Sequence, residues 1–445
     1  MATAIFPQSA APPAEPQIGT IGPGSLLVRG RTKLYTWMLA LFVSLALGFS
    51  VVPIWHSFRG DQRNKDYALW YATGRVVLKG GEIYPKDPRR LFPFMYPPSC
   101  AMMLAIASTL GEQPFVIGLT ILNTAAWFAS ILSAVYLTTG QALRRHPLLY
   151  ILPSAFVLPN VHDTYLIGQP NLLLLACMLG AFTFLRLGRE WAAGSLIALA
   201  AAVKAFPILA VCYLVYRRRW KATIALLATL AVLLAVLPLP FRGAERAWDD
   251  LVTWTKGMVL KYDANGIAQR PERCYSFKNQ SMIALANRLL RSIPADGEQD
   301  QAWKVNLADL NFKTVNAVIA AAGLALCVFY VVAMPKSARR TPRTDAIEYA
   351  MLLLLILLFS PLSFNYFFVW LLYPFAVALS PALEGSEGGR GHVARWAWIS
   401  TAVAMLALAI PLLRPAQAYG NIFFASLLLL IGLGFELRRA PAPAA

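Results

Sequence analysis

Charge is scarce in this 445-residue chain: Asp, Glu, Lys and Arg make up 14% of it, against 58% hydrophobic residues. Soluble globular chains carry about a quarter charged residues, so composition excludes a water-facing fold and leaves the membrane class. Histidine is scarcer still, at four, and cysteine numbers five. Cys100, Cys177, Cys212, Cys274 and Cys327 lie scattered, four of them inside apolar runs. No spacing pairs them into a disulfide framework or a zinc motif, and no metal site is expected. Acid is short as well, with 22 acidic residues against 40 basic ones and a net charge of +18. The bases gather in short blocks between apolar runs, as in "RGRTK", "RRRWK" and "KSARRTPR". Positive-inside topology produces that arrangement, so nucleic acid is not the expected partner. A basic n-region ahead of a short apolar core is also lacking. Residues 1–28, rich in Ala, Pro and Gly, are therefore expected to be a disordered cytoplasmic leader, and 439–445 a disordered tail.

What the chain has is apolar length. Runs at 34–56, 114–138, 220–240, 313–334, 395–412 and 418–436 meet or approach the ~20 residues that cross a hydrocarbon core. Shorter ones sit at 147–160, 169–186, 345–360 and 366–381. Lipid offers no partner to an unpaired backbone amide, so these are helices, and the fold class is an all-α polytopic integral membrane protein. About 10–13 transmembrane helices are expected in one domain spanning 29–438, with outer juxtamembrane helices. The basic blocks at Arg29–Lys33, Arg144–Arg145, Arg186–Arg189, Arg217–Lys221, Lys336–Arg343 and Arg438–Arg439 then mark the cytoplasmic side, with both termini on it. They alternate correctly only if 97–111, which is short and begins Pro-Pro, dips into the membrane without crossing. The same bookkeeping breaks 191–216 in two at Lys204-Ala-Phe-Pro207, because a mid-membrane Lys is costly and Pro207 blocks a continuous helix. The outer face receives 57–113, a short turn at 161–168, the long loop 241–312, and 360–366.

The stretch "NKDYALWYATGRVVLKGGEIY", residues 64–84, sets a carboxylate among aromatics just after the first apolar run. As a helix over 66–79 it puts Tyr67, Trp70, Tyr71 and Gly74 on one side, with Arg75 and Lys79 elsewhere and Gly80-Gly81 as the stop. Asp66 at its start reads equally as an ordinary N-cap and as a working carboxylate at the membrane boundary. Lys204 either snorkels to the interface or meets an anionic group. Lys278, Asn279, Gln280 and Ser281 either bind sugar or phosphate or cap the helix that follows. Gln169 either hydrogen-bonds a sugar or begins its helix. Tyr84 and Tyr96 suit loop shaping and stacking, while His162 and Asp163 are candidate assistants in the outer turn. Those two alone would under-ligate a metal.

Asp66 with "YALWYATGRVVLKGGEIY" and "FPFMYPPSCAMML" resembles the first outer loop of the GT-C glycosyltransferases. More narrowly, with "GQPNLLLL" (168–175), "AGSLIALAAAVKAFPIL" (193–209), "KNQSMIALANRLL" (278–290) and "SPLSFNYFFVWLLYP" (360–374) in order, the chain is similar to glycosyltransferase family 87 over roughly 34–436. That family consists of polyprenyl-phosphate-mannose-dependent α-mannosyltransferases, and the resemblance implies a GT-C-type bundle and no cofactor. The implied partners are the lipid bilayer, a polyprenyl-phosphate-linked sugar donor, and a glycolipid or polysaccharide acceptor. It further implies an inverting transfer of a hexosyl residue, mannosyl in the family's terms, on the periplasmic face of the plasma (inner) membrane, with Asp66 as the base. Lys204 matches the family's mid-segment lysine, which would meet the lipid phosphate. Lys278, Asn279, Gln280, Ser281, Gln169 and Asn365 are the candidates for donor phosphate or sugar binding; Tyr67, Trp70, Tyr84, Tyr96, His162 and Asp163 are candidates for acceptor contact or pocket shaping. The family's pattern usually has a pair of histidines after the aromatic at 364, where this chain has Asn365 and Tyr366. A lipid-linked sugar flippase, or a polysaccharide ligase using a diphosphate donor, remains the alternative class.

Overall fold

The computed structural model describes residues 25–59, 65–84, 94–143, 145–268, 274–296, 303–384, 390–407 and 413–439. Most of the expected leader and tail (residues 1–24 and 440–445) lies outside these residues. Helix α1 runs Ser25–Phe58, starting inside the segment expected to be leader, and α2 spans Lys65–Leu78. After them come α3 (Pro98–Ser108), α4 (Glu112–Thr139), α5 (Leu148–Phe156), α6 (Leu158–Ile167), α7 (Asn171–Arg186) and α8 (Glu190–Val203). Then α9 (Ala210–Tyr216), α10 (Trp220–Ala231) and α11 (Leu239–Trp254) lead to a two-residue β-hairpin, Tyr262–Asp263 against Gly266–Ile267. The chain closes with α12 (Met282–Leu290), α13 (Phe312–Ala333), α14 (Pro342–Phe359), α15 (Leu372–Leu383), α16 (Arg390–Ala407), α17 (Arg414–Ala418) and α18 (Asn421–Arg439).

The protein is thus an all-α polytopic membrane protein. Among the described residues five helical stretches are long and apolar enough to cross a membrane: Lys33–Phe58, Glu112–Thr139, Phe312–Ala333, Asn365–Leu383 and Asn421–Arg439. A sixth is the bent pair Trp220–Val236 and Leu239–Val259. Five shorter apolar helices accompany them, Pro98–Ser108, Asn171–Arg186, Glu190–Val203, Phe206–Tyr216 and Val393–Ala407. Lys33–Phe58 and Phe312–Ala333 bury only 11% of their apolar windows within the protein, so their outer faces are made for lipid. The core instead wraps α14 and α15, whose residues are buried nearly all round.

Local chemistry explains the breaks that shape the site. α2 stops where Gly80 turns left-handed (φ +64°) and Gly81 N–H donates to Val76 O at 2.8 Å. α8 ends at Lys204, whose backbone is extended (φ −139°, ψ 126°), and a 3₁₀ turn over Phe206–Leu209 with Pro207 near its start restarts the chain into α9. The break therefore falls at the predicted Lys204–Pro207 segment. Two expectations need correcting. The stretch 161–168 is not a turn: Pro159 in the first turn starts α6, which carries His162 and Asp163 and ends on left-handed Gly168 (φ +89°). Nor is 220–240 a straight span, because Pro238 and Pro240 follow a π-helical segment (Val232–Val236) and the chain bends by 95°. α11 and α12 give helical form to part of the expected 241–312 loop, the second of them at the helix expected after residues 278–281.

Candidate active site

The amphipathic face predicted for 66–79 is the one α2 buries. Tyr67, Trp70, Thr73, Gly74 and Val77 are buried while Arg75 and Lys79 are exposed. A Cβ on Gly74 would lie 2.5 Å from the Leu104 carbonyl, so the missing side chain lets α2 rest directly on α3. Tyr67 packs its ring against Gly168, where a Cβ would lie 2.5 Å from Cδ2, and its hydroxyl meets Thr120 at 3.4 Å. Burial pushes the Tyr67 phenol up to about 12, so it stays neutral. These contacts set Asp66, in the first turn of α2, against the segment joining α6 to α7.

Gln169 occupies that segment with 1% of its surface exposed. Its Nε2 donates to the Asp66 carboxylate. Its Oε1 accepts from Lys204 Nζ at 2.8 Å and from the Tyr96 hydroxyl at 3.1 Å. One amide thus links a carboxylate, an ammonium and a phenol drawn from three places in the sequence. Lys204 also donates to Asn171 Oδ1 at 3.0 Å and lies over the rings of Tyr366, Tyr96 and Phe367 at 5.3, 5.5 and 5.8 Å. Amide oxygens and aromatic faces are what a partly buried ammonium needs in place of water. Asn171 is completed by donating to Tyr366 O at 3.0 Å. Tyr96 packs against Trp70 with ring centroids 4.7 Å apart and planes tilted by 60°, and its backbone oxygen accepts from the Tyr84 hydroxyl at 2.7 Å. Burial, and next the Asp66 charge, push the Tyr96 phenol well above its ordinary value, which keeps it a donor.

These polar groups face a cavity of about 370 Å³. Asp66, Tyr96, Gln169, Lys204 and Tyr366 line it together with the apolar residues Leu209, Trp254, Met258, Val259, Phe359 and Leu362. Of the residues singled out from the sequence, then, Asp66, Tyr96, Gln169 and Lys204 converge on one cavity. Tyr67, Trp70 and Tyr84 support it from behind.

The remaining candidates stand elsewhere. Asn279, Gln280 and Ser281 have no exposed surface and serve the backbone. Asn279 Nδ2 donates to Cys274 O and Pro361 O, and its Oδ1 accepts from the Ser281 and Ser363 amides. Gln280 Nε2 donates to Phe277 O and Gln417 O. Ser281 caps α12, accepting from Ala284 N–H at 3.1 Å. Of the two sequence readings, capping is the one this geometry supports, and it steadies the 360–364 wall of the cavity. Lys278 is exposed, over the Phe277 ring. His162 and Asp163 form a half-exposed pair at 3.6 Å, and Asp163 accepts from Asn365 Nδ2. Asn365 in turn accepts from Asn160 at 2.7 Å, and so joins α6 to the chain before α15.

Sequence reasoning passed over Asn171 and Trp254, and noted Tyr366 only as a departure from the family's pattern. Asn171 had a signal, since it lies two residues past Gln169 in the same motif. Trp254 had none: it reaches the cavity only through the bend at Pro238 and holds Met95 O at 3.2 Å. Arg288 is fully buried, and its guanidinium donates to the carbonyls of Tyr275, Ser276, Asn279, Gln417 and Ala418. Burial lowers its pKa to about 9, which still leaves it charged near neutrality.

No group of three or more His, Cys, Asp or Glu side chains able to hold a metal occurs among the described residues. Fold and cavity define a polytopic membrane protein with a carboxylate–ammonium pocket at a helix break. The profile of glycosyltransferase family 87 matches residues 94–361, more than half of the chain. The chain belongs to that family and is a glycosyltransferase. No curated protein matches it.

Proposed function

We propose that the protein moves a hexosyl residue, mannosyl in the family's usual chemistry, from a polyprenyl-phosphate sugar to an envelope glycolipid or glycan. The observation that carries this reading is the Asp66–Gln169–Lys204 bridge beside a largely apolar cavity. Asp66 removes the proton from the acceptor hydroxyl as its oxygen attacks the anomeric carbon. The bond from that carbon to the phosphate oxygen breaks in the same step, and polyprenyl phosphate leaves with the electron pair. Displacement in one step inverts the anomeric centre. Lys204 stabilises the charge that develops on the phosphate. A phosphate leaving group so neutralised needs no strong general acid. The apolar residues around the polar groups suit a donor whose chain stays in the bilayer. The sugar then meets Asp66 at the outer, periplasmic face of the plasma membrane, and both termini lie in the cytoplasm, as the basic blocks indicate.

Purified protein in detergent, supplied with polyprenyl-phosphate mannose and an envelope glycolipid extract, is expected to yield a glycosylated lipid. Asp66→Asn should abolish the product. Product formation that persists in the variant removes Asp66 from the base role. Failure with every monophosphate donor, together with movement of lipid-linked sugar across vesicles, favours a flippase.

A further inference from the structure

A second cavity, of about 270 Å³, lies away from the transfer site, where the C-terminal ends of α13 and α18 meet the start of α14. Its wall joins apolar Val332 and Leu437 to three bases, Lys336, Arg339 and Arg438. Each base is exposed, and none has a carboxylate partner among the described residues. The part-buried arginines near this face are paired, Arg217 with Glu348, Arg219 with Glu190, Arg340 with Asp345, and Arg343 with Glu436. Topology accounts for bases at this face but not for their gathering, unpaired, around a cavity. The two helices forming it are membrane spans, and both turn apolar side chains outward just inside the cavity. Val328, Val331 and Val332 on α13 and Ile431 and Phe435 on α18 are exposed. A cationic recess continuous with a lipid-facing apolar surface matches one kind of molecule, with phosphate at one end and hydrocarbon at the other.

We propose that this recess binds the phosphate of an anionic phospholipid headgroup, with the acyl chains lying along α13 and α18. The site is independent of the transfer reaction. It fixes the α13–α18 pair, which otherwise meets lipid over most of α13.

The test uses the full-length protein, stripped of lipid in an uncharged detergent, with its melting temperature followed as a probe is added. Phosphatidylglycerol is expected to raise the melting temperature saturably, and phosphatidylcholine or inorganic phosphate to leave it unchanged. In K336Q/R339Q/R438Q that rise should disappear. The single variants R339Q and R438Q should each weaken apparent affinity about fivefold. R189Q/R218Q/K221Q, which removes three exposed bases from other loops, should respond as the wild type does. An equal response to inorganic phosphate assigns the recess to a soluble anion and overturns the lipid assignment. The same lipid response in the triple variant, or undiminished affinity in both single variants, overturns the site itself.

Discussion

At the scale of single residues, the account rests on how one amide is saturated. Gln169 donates to Asp66 and accepts from both Lys204 and Tyr96, so each charged group is held by a neutral partner that can be deleted. Asp66→Asn keeps shape and hydrogen bonding but loses the base, and kcat/KM should fall by on the order of 10²–10⁴ with donor affinity changed little. Lys204→Gln removes the charge opposite the phosphate. Transfer should drop by on the order of 10²–10³, and donor affinity, measured separately, should drop as well. Gln169→Ala leaves three groups each short of a bond. A loss of about 1–3 kcal/mol in transition-state stabilisation, read from kcat/KM, is the expected result. That Asp66 and Lys204 belong to one site was legible in the sequence, because a carboxylate among aromatics and a mid-span ammonium stand out in apolar surroundings. Gln169 was ambiguous, since a glutamine before a helix looks the same whether it caps, binds a ligand or bridges two charges.

At the scale of elements, the sequence disclosed what local rules govern and hid what packing decides. The α2 face, its glycine stop and the break at Lys204 all follow from spacing, Gly and Pro, and all three are present. The helix at 158–167 was hidden because its polar residues imitate a surface turn; its stability comes from packing against the segment before α15. There Asn160 donates to Asn365 and Thr164 donates to Tyr366 O. Polar residues 279–281 looked like ligand groups for the converse reason: backbone carbonyls of distant segments, invisible in sequence, use up their donors. Gly168 joins the two levels. Its left-handed backbone, with Tyr67 where a Cβ would stand, leaves no room for a side chain. Gly168→Ala should cost about 1–3 kcal/mol of stability, read by thermal unfolding in detergent, and should lower transfer by moving α2 from Gln169. Glu348 makes a similar point in the apolar α14. It is fully buried, takes the Arg217 guanidinium, and accepts from the Tyr213 hydroxyl at 3.0 Å. Glu348→Ala should destabilise by about 3–5 kcal/mol, because it strands a buried cation.

At the scale of the whole molecule, the protein is a lipid-clad bundle in which short, broken and bent helices build the site. α2 and α3, the broken α8–α9 passage and the bent α10–α11 pair bring Asp66, Tyr96, Lys204 and Trp254 to one cavity. Arg288 ties the pieces following the hairpin to α17 through carbonyls alone. Arg288→Met, similar in length but with no donor, should lower the melting temperature and loosen the 274–281 segment to proteolysis. Composition disclosed the all-α membrane class directly, because burying so much apolar surface leaves no other solvent. The sense of insertion is a further whole-molecule property. In a cysteine-free background, a cysteine at exposed Arg75 should react with an impermeant thiol reagent from outside the cell and one at exposed Arg218 should not. The most direct test of the central claim remains sugar transfer from a polyprenyl-phosphate donor by the purified wild type and Asp66→Asn, with donor binding measured alongside. The account predicts product from the wild type, and from the variant unimpaired donor binding with transfer reduced at least about a hundredfold. Equal turnover by the two proteins would contradict it.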